Sequence, residues 1–310
     1  MSVTHYGFVF PGQGVQKVGM GRDLATEFPV ARSVFDEVDA ALGRSLSKMM
    51  FDGDMAELTQ TQNAQPAIMA VSMAIVRIVE AEVAPVAQLA AAVAGHSLGE
   101  YTALCAAGVL SLTDTAKLLQ SRGQFMAQAA QAQSGGMLAL LGADMAQAQE
   151  IAQKTGCYVA NDNCEGQVVL SGSQAALTAA KMMAENLHIK RAVPLAVAGA
   201  FHSPMMEMAA ENMATVLAAT HFNAPQIPIF FNVTGQAESQ PNAFADLLQR
   251  QITGMVHWRE TIQNMPVSAF VECGQGTVLS GLIRRIQPDM PVLNGCDVSE
   301  VQNLIAQLQK

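Results

Sequence analysis

LAAAVAGHSLGEYTALCAA, residues 89–107, passes from small apolar residues through a glycine-flanked turn into a helical pattern. Leu89–Ala94 reads as a buried strand, Gly95–Gly99 as a sharp turn and Glu100–Ala107 as a helix. A strand that turns directly into a helix is the building unit of an α/β protein. The turn itself, Gly95-His96-Ser97-Leu98-Gly99, fits the pattern G-x-S-x-G in the context that pattern requires. Its glycines permit a strained turn with close packing on both sides, and the Ser97 hydroxyl is lifted clear at the end of the strand. The Leu98 backbone N–H then lies at a helix N-terminus, where it can donate to a developing oxyanion.

On either side of this unit, strand-type runs alternate with longer helical patterns. Tyr6–Phe10 reads as a strand that ends at Pro11 and leads into the loop Gly12-Gln13-Gly14. Helices are expected around 20–28 and 30–42, and QPAIMAVSMAIVRIVEAE (65–82) is apolar enough to be a buried helix. Ser111 and Asp114 mark the start of a helix over 111–128. From Gly135 the order becomes strand (135–141), helix (143–154), strand (157–161), strand (167–172), helix (173–188) and strand (190–197). That is a ferredoxin-like βαββαβ arrangement. Hinge-type compositions bracket it: Gln/Ala/Gly at 129–136 and Ala198-Gly199-Ala200. The expected organisation is a larger, α/β-hydrolase-like domain with a parallel sheet, formed by 1–130 and 199–310. A smaller ferredoxin-like domain, 131–198, is inserted into it. Further on, Ser203 and Pro204 read as N-cap and first residue of a helix. Strands are expected at 227–233 and 267–272, the latter followed by Gly274-Gln275-Gly276 and a helix to Ile286.

Composition narrows the class. Of 310 residues, 50% are hydrophobic and 14% charged, which describes a folded, core-building chain. A net charge of −9 with no basic arm argues against nucleic acid as a partner. The five Cys show neither C-x-x-C nor zinc-site spacing, so reduced thiols are expected. No leader pattern opens the sequence, and the longest apolar stretch, near Val83–Gly95, is shorter than the roughly 20 residues of a spanning helix. A cytoplasmic chain without membrane contact is expected.

A serine nucleophile needs a base. Of six histidines, His5 is near the N-terminus and His96 sits in the turn, where the residue beside a nucleophile usually points away. His188 ends a helix, His221 lies in a connection and His257 precedes Trp258. His202 follows an apolar strand and precedes a helix, the kind of loop where α/β enzymes place catalytic groups. Arg122 falls on the apolar stripe Leu112, Ala116, Leu119, Met126 of its helix. A buried guanidinium needs an anion, which is either an internal acid or a carboxylate on a substrate. Gly12-Gln13-Gly14 lacks the third Gly of a dinucleotide loop and the Gly-Lys of a phosphate loop. On these residues alone a serine hydrolase, such as a thioesterase, and an acyltransferase both remain open.

FVFPGQG (8–14), GHSLGEY (95–101), RGQFM (122–126), GQVVLSG (166–172) and ECGQGTVLSGLIRRI (272–286) stand in this order across the chain. Together they resemble the malonyl-CoA:acyl carrier protein transacylases of bacterial fatty acid synthesis. The resemblance implies a ping-pong acyltransferase with Ser97 as nucleophile and His202 as base. It implies an oxyanion hole from the backbone N–H groups of Gln13 and Leu98, with the Gln251 carbonyl, not an acid, orienting His202. It implies that Arg122 binds the malonyl carboxylate, within a substrate-binding set of Arg122, Gln251, Met126, Phe201, Asn161, Asn163 and His96. Phe201-His202-Ser203 looks like the malonyl-selective form of its triplet. Malonyl-CoA and acyl carrier protein are the implied partners, the CoA thioester being a substrate, with no cofactor, no metal and a monomeric state. Lys181, Lys190, Arg191, Arg284 and Arg285 are candidates for docking the acidic carrier. Glu165 and Gln275 stand where the family often has Pro, which affects loop shape.

Overall fold

The computed structural model of the chain describes residues 5–310. The start of the sequence, read above for a leader, lies partly outside these residues. Ten strands are formed among the described residues: β1 (Tyr6–Phe10), β2 (Ala90–Gly95), β3 (Gly135–Leu141), β4 (Tyr158–Cys164), β5 (Gln167–Ser173), β6 (Arg191–Pro194), β7 (Ile229–Phe230), β8 (Ala237–Glu238), β9 (Ala269–Cys273) and β10 (Val292–Gly295).

One sheet runs β10-β9-β1-β2-β7-β8. Its pairs are parallel except β7 with β8, so the sheet is mixed where a parallel one was expected. The central β1 and β2, YGFVF and AAAVAG, are apolar on both faces, as strands covered by helices on both sides must be. The helix Thr61–Glu82 packs against this layer. It is the one helix among the described residues long and apolar enough to cross a membrane, and 83% of its most apolar window is buried inside the fold. The second sheet, β4-β5-β3-β6, is antiparallel throughout, with the helices Met145–Thr155 and Gln174–Asn186 packed on it.

Two helices of the larger layer cross closely because one position is glycine. A Cβ on Gly123, in the helix Leu112–Ala132, would stand 2.5 Å from the Gln62 Cα of Thr61–Glu82. The Ser111 hydroxyl caps Leu112–Ala132 by accepting from the Asp114 N–H, as its sequence signal predicts.

A backbone bridge ties β4 of the smaller sheet to the segment that follows the helix Pro241–Thr253. Val256 donates to the Ala160 carbonyl (2.8 Å) and accepts from the Asp162 N–H (2.9 Å). Arg259 adds two bonds to Asp162 Oδ2, at 3.0 and 2.7 Å. Arg285 holds the turn between β4 and β5 through Gln167 Oε1 and the Glu165 carbonyl.

Several expected elements differ. The strand expected at 227–233 stops at Phe230, because Phe231 turns back to Gln236. The strand expected at 190–197 ends at Pro194, which cannot donate to a ladder. The hinge expected at 129–136 is mostly regular: helix to Ala132 and strand from Gly135. Ser203 does not cap through its side chain. Its hydroxyl donates to the Ala200 carbonyl, and Pro204–Met206 is a 3₁₀ turn before the helix Glu207–Ala218. The helix Pro241–Thr253, β10 and the helix Val298–Leu308 complete the fold beyond the elements read from the sequence. All five Cys are free thiols, four of them buried.

Candidate active site

The carboxyl ends of β1 and β2 present two loops to one cleft. The turn after β2 is pressed against the end of β1: a Cβ on Gly99 would lie 2.3 Å from the Phe10 carbonyl oxygen, and one on Gly12 would lie 2.9 Å from that of His96. Glycine at both positions lets the Gly12-Gln13-Gly14 loop and the Ser97 turn meet. Ser97 itself sits at φ 53°, a left-handed conformation uncommon for a residue with a Cβ. The turn is held by Asn232, whose Oδ1 accepts from the Ser97 N–H (2.7 Å) and whose Nδ2 donates to the Gly95 carbonyl (2.7 Å). The Gln251 side chain donates to the Ser97 carbonyl at 2.9 Å.

His202 occupies a second strained position, at φ 56°. The Ser203 hydroxyl donates to the Ala200 carbonyl within the loop, and the Ser171 hydroxyl, from β5, donates to the Phe201 carbonyl, so the loop is braced internally and from the smaller sheet. The result places His202 Nε2 2.8 Å from Ser97 Oγ, and His202 Nδ1 2.8 Å from the Gln251 carbonyl. The carbonyl can only accept, so Nδ1 carries the proton and Nε2 offers its lone pair to the serine. Burial, then the positive charge of Arg122, pushes the imidazole down to about 3. His202 therefore stands as a neutral base at physiological pH.

Arg122 is 1% exposed. It donates to Gln65 Oε1 (2.8 Å), Gln251 Oε1 (2.8 Å) and Ser97 Oγ (3.1 Å). Among the described residues no carboxylate pairs with it. Its charge is held against Ser97 by neutral oxygens alone.

Above these groups lies a cleft of about 300 Å³, lined by Gly12, Gln13, His96, Ser97, Asn161, Asn163, Phe201 and His202 together with apolar residues of the smaller sheet and of the helix Val278–Ile286. His96 is among the lining residues, and its ring is held away from the serine hydroxyl's partners: Nε2 meets Asn163 Oδ1 at 2.9 Å and the ring lies 5.4 Å from Trp258. The backbone N–H groups of Gln13 and Leu98 take no hydrogen bond among the described residues. Leu98, Arg122, Gln251 and Met126 lie beneath the lining, and the Met126 sulfur accepts from Gln65 Nε2. Sequence reading missed Asn232 and Gln65. The only signal for Gln65 was a polar residue in an otherwise apolar helix, and Asn232 lies past a two-residue strand with no motif around it.

The acyl transferase domain family matches residues 7–283. The malonyl CoA-acyl carrier protein transacylase of Bacillus subtilis (strain 168) is 36% identical over 312 residues, covering 98% of this chain and 97% of that protein. The crystal structure of acyl-carrier-protein-S-malonyltransferase from Bartonella henselae superposes with a TM-score of 0.95 at 45% identity, covering 99% of this chain and 100% of that one. A malonyl-transacylase solved in complex with its type II PKS acyl-carrier protein superposes with a TM-score of 0.92 at 34% identity, over 98% and 100% of the two chains.

Proposed function

The chain belongs to the acyl transferase domain family, among the malonyl CoA-acyl carrier protein transacylases, and from that premise we propose that it transfers a malonyl group through an ester on Ser97. The observation that carries this reading is the meeting of three groups at one atom: Ser97 Oγ lies 2.8 Å from His202 Nε2 and 3.1 Å from Arg122 Nη2.

His202 Nε2 takes the proton of Ser97 as Oγ attacks the thioester carbon of malonyl-CoA. The Gln13 and Leu98 N–H groups hold the oxyanion. On collapse the carbon–sulfur bond breaks, and the departing thiol takes the proton back from His202. The phosphopantetheine thiol of acyl carrier protein then enters, loses its proton to His202 and accepts the malonyl group, restoring Ser97. Atoms and protons balance without a metal or redox group, the CoA thioester being consumed as substrate. The malonyl carboxylate answers the Arg122 charge. Since that charge is one of the causes depressing His202, its neutralisation strengthens the base when the matching substrate is bound. Asn161, Asn163, His96 and Phe201 shape the channel for the pantetheine arm, while Gln251 and Met126 hold Arg122 in place, Met126 through Gln65.

We read the larger sheet with its helices as a hydrolase-like domain (1–130 and 199–310), and 131–198 as the ferredoxin-like insert. The chain acts in the cytoplasm as a monomer and supplies fatty acid synthesis. Intact mass after brief incubation with malonyl-CoA tests the reading. A malonyl adduct is expected on the wild type, absent from Ser97→Ala and discharged by carrier protein. An adduct discharged as fast by water would instead mark a hydrolase.

A further inference from the structure

Behind the nucleophile lies a carboxyl that the chemistry above does not use. Glu100 is fully buried in the first turn of the helix Gly99–Ala106. Its Oε2 accepts the Asn232 backbone N–H, the residue whose side chain braces the Ser97 turn. Its Oε1 has no hydrogen-bond partner among the described residues, and neither have Arg122 Nε and the Tyr101 hydroxyl. Arg122 Cζ stands 5.7 Å from the centre of the Tyr101 ring.

A buried guanidinium ordinarily closes an ion pair with the nearest acid. Here Glu100 is the acid whose charge reaches Arg122, yet the two form no ion pair. Their hydrogen bonds show why: the Glu100 side chain is turned toward the Asn232 N–H, and the Arg122 side chain toward Gln65, Gln251 and Ser97. Burial raises the Glu100 carboxyl to about 8, against the opposing pull of the Asn232 N–H, the Arg122 charge and the nearby Gln251 amide. Such a group is a neutral acid at pH 7, with its proton on the unpartnered Oε1.

We propose that Glu100 sets the acyl-group preference of the site: held neutral behind Arg122, it leaves that cation for the carboxylate of the malonyl group, and once ionised it competes for the same charge and turns the site toward uncharged acyl groups. This rests on Arg122 being the malonyl ligand. Two carboxylates that share one cation repel each other in a low-dielectric interior, so only one of them can be an anion without penalty.

The surroundings make the effect separable. Arg122 comes from the helix Leu112–Ala132 and Tyr101 from the same helix as Glu100. The facing strands, YGFVF and AAAVAG, bring no charged side chain, and the helices Thr61–Glu82 and Pro241–Thr253 contribute the uncharged Gln65 and Gln251. Burial pushes Tyr101 up and pushes His96 and His202 down. Each of those three keeps one protonation state from neutral to moderately alkaline pH.

The test is single-turnover acylation of Ser97 with malonyl-CoA and acetyl-CoA in competition, read by intact mass from about pH 6.5 to about pH 9.5. The ratio of the two adducts cancels any protonation common to both donors. In the wild type the malonyl-to-acetyl ratio is expected to fall about tenfold across this range. Glu100→Gln keeps an oxygen for the Asn232 N–H and a donor in place of the protonated Oε1, and is expected to flatten the dependence. An equal fall in both proteins, or no fall in the wild type, overturns the role of Glu100. Infrared difference spectra of wild type at neutral pH supply a second readout that does not depend on the variant folding. They should show a protonated carboxyl that responds to malonylation, and a carboxylate there overturns the proposal. If neither donor labels Ser97, the serine-ester reading itself fails, and this inference with it.

Discussion

Arg122 is a cation placed where water cannot solvate it, and its partners are all neutral. A substrate that brings its own carboxylate recovers that desolvation, and one that does not leaves the arginine unpaired. Arg122→Ala is therefore expected to lower kcat/KM for malonyl-CoA about 100-fold while acetyl transfer is kept or rises. Equal loss of both would remove Arg122 from substrate choice. His202 makes a second prediction at this scale. Its base form persists well below the ordinary imidazole titration near 6.5, since burial and Arg122 hold its pKa near 3. Single-turnover Ser97 acylation is expected to show no step at that ordinary value as pH falls. Folding behaves differently. The unfolded chain takes up the His202 proton below about 6.5 while the folded chain does not, so this group's contribution to stability is full above 6.5 and is lost progressively toward pH 3. Denaturant midpoints measured between those values should fall with pH, and less steeply in His202→Gln.

At the scale of elements, the site depends on two close approaches. Gly99 lets the end of β1 press against the serine turn, and Gly123 lets Leu112–Ala132 cross Thr61–Glu82 closely enough for Gln65 to reach Arg122. Gly123→Ala puts a methyl group against the Gln62 backbone, which cannot give way as a flexible side chain would. We expect a loss of about 1–3 kcal/mol in stability, together with a higher KM for malonyl-CoA, because the helix that carries Arg122 must shift. Unchanged midpoint and KM would mean that the helices separate without cost.

The whole molecule places the cleft beside both sheets, and the Ser97–His202 contact depends on both. Ser97 follows β2 of the larger sheet, whereas the His202 loop is held in part by Ser171 of the smaller one. The Val256 bridge and the Arg259–Asp162 pair fix the strand that carries Asn161 and Asn163. Arg259→Ala leaves Asp162 buried without its cation and is expected to cost about 1–3 kcal/mol, measured by chemical unfolding. Its effect on turnover should appear in KM for the carrier more than in kcat, since Asn161 and Asn163 line the channel. A net charge of −9 opposes an acidic carrier, so docking needs a local basic face. Arg285 is engaged by Gln167 and Glu165, which leaves Lys181, Lys190, Arg191 and Arg284 exposed for that part. Neutralising these four is expected to raise KM for carrier protein and weaken its salt dependence, without altering acylation by malonyl-CoA.

Local rules fixed what depends on neighbours in the chain. The strand-turn-helix around Ser97 was legible because glycine spacing and apolar runs are local signals, and Arg122 on an apolar stripe was legible because helical periodicity is local too. The strand and helix order of the middle segment was legible in its alternation of patterns, whereas the antiparallel pairing of its strands is a finding of the structure. What sequence could not determine alone is which distant groups meet. His202 stood out among six histidines by its loop and by resemblance, but only the folded chain brings its Nε2 within 2.8 Å of a serine 105 residues away. Asn232 and Gln65 carry no motif, and Glu100 entered the sequence reading only as the first residue of a helix. Their roles arise from burial, which turns a surface-type side chain into a fixed hydrogen-bond partner or a neutral acid. Burial belongs to the assembled interior, where the free energy of each polar group is set by what the other elements place against it.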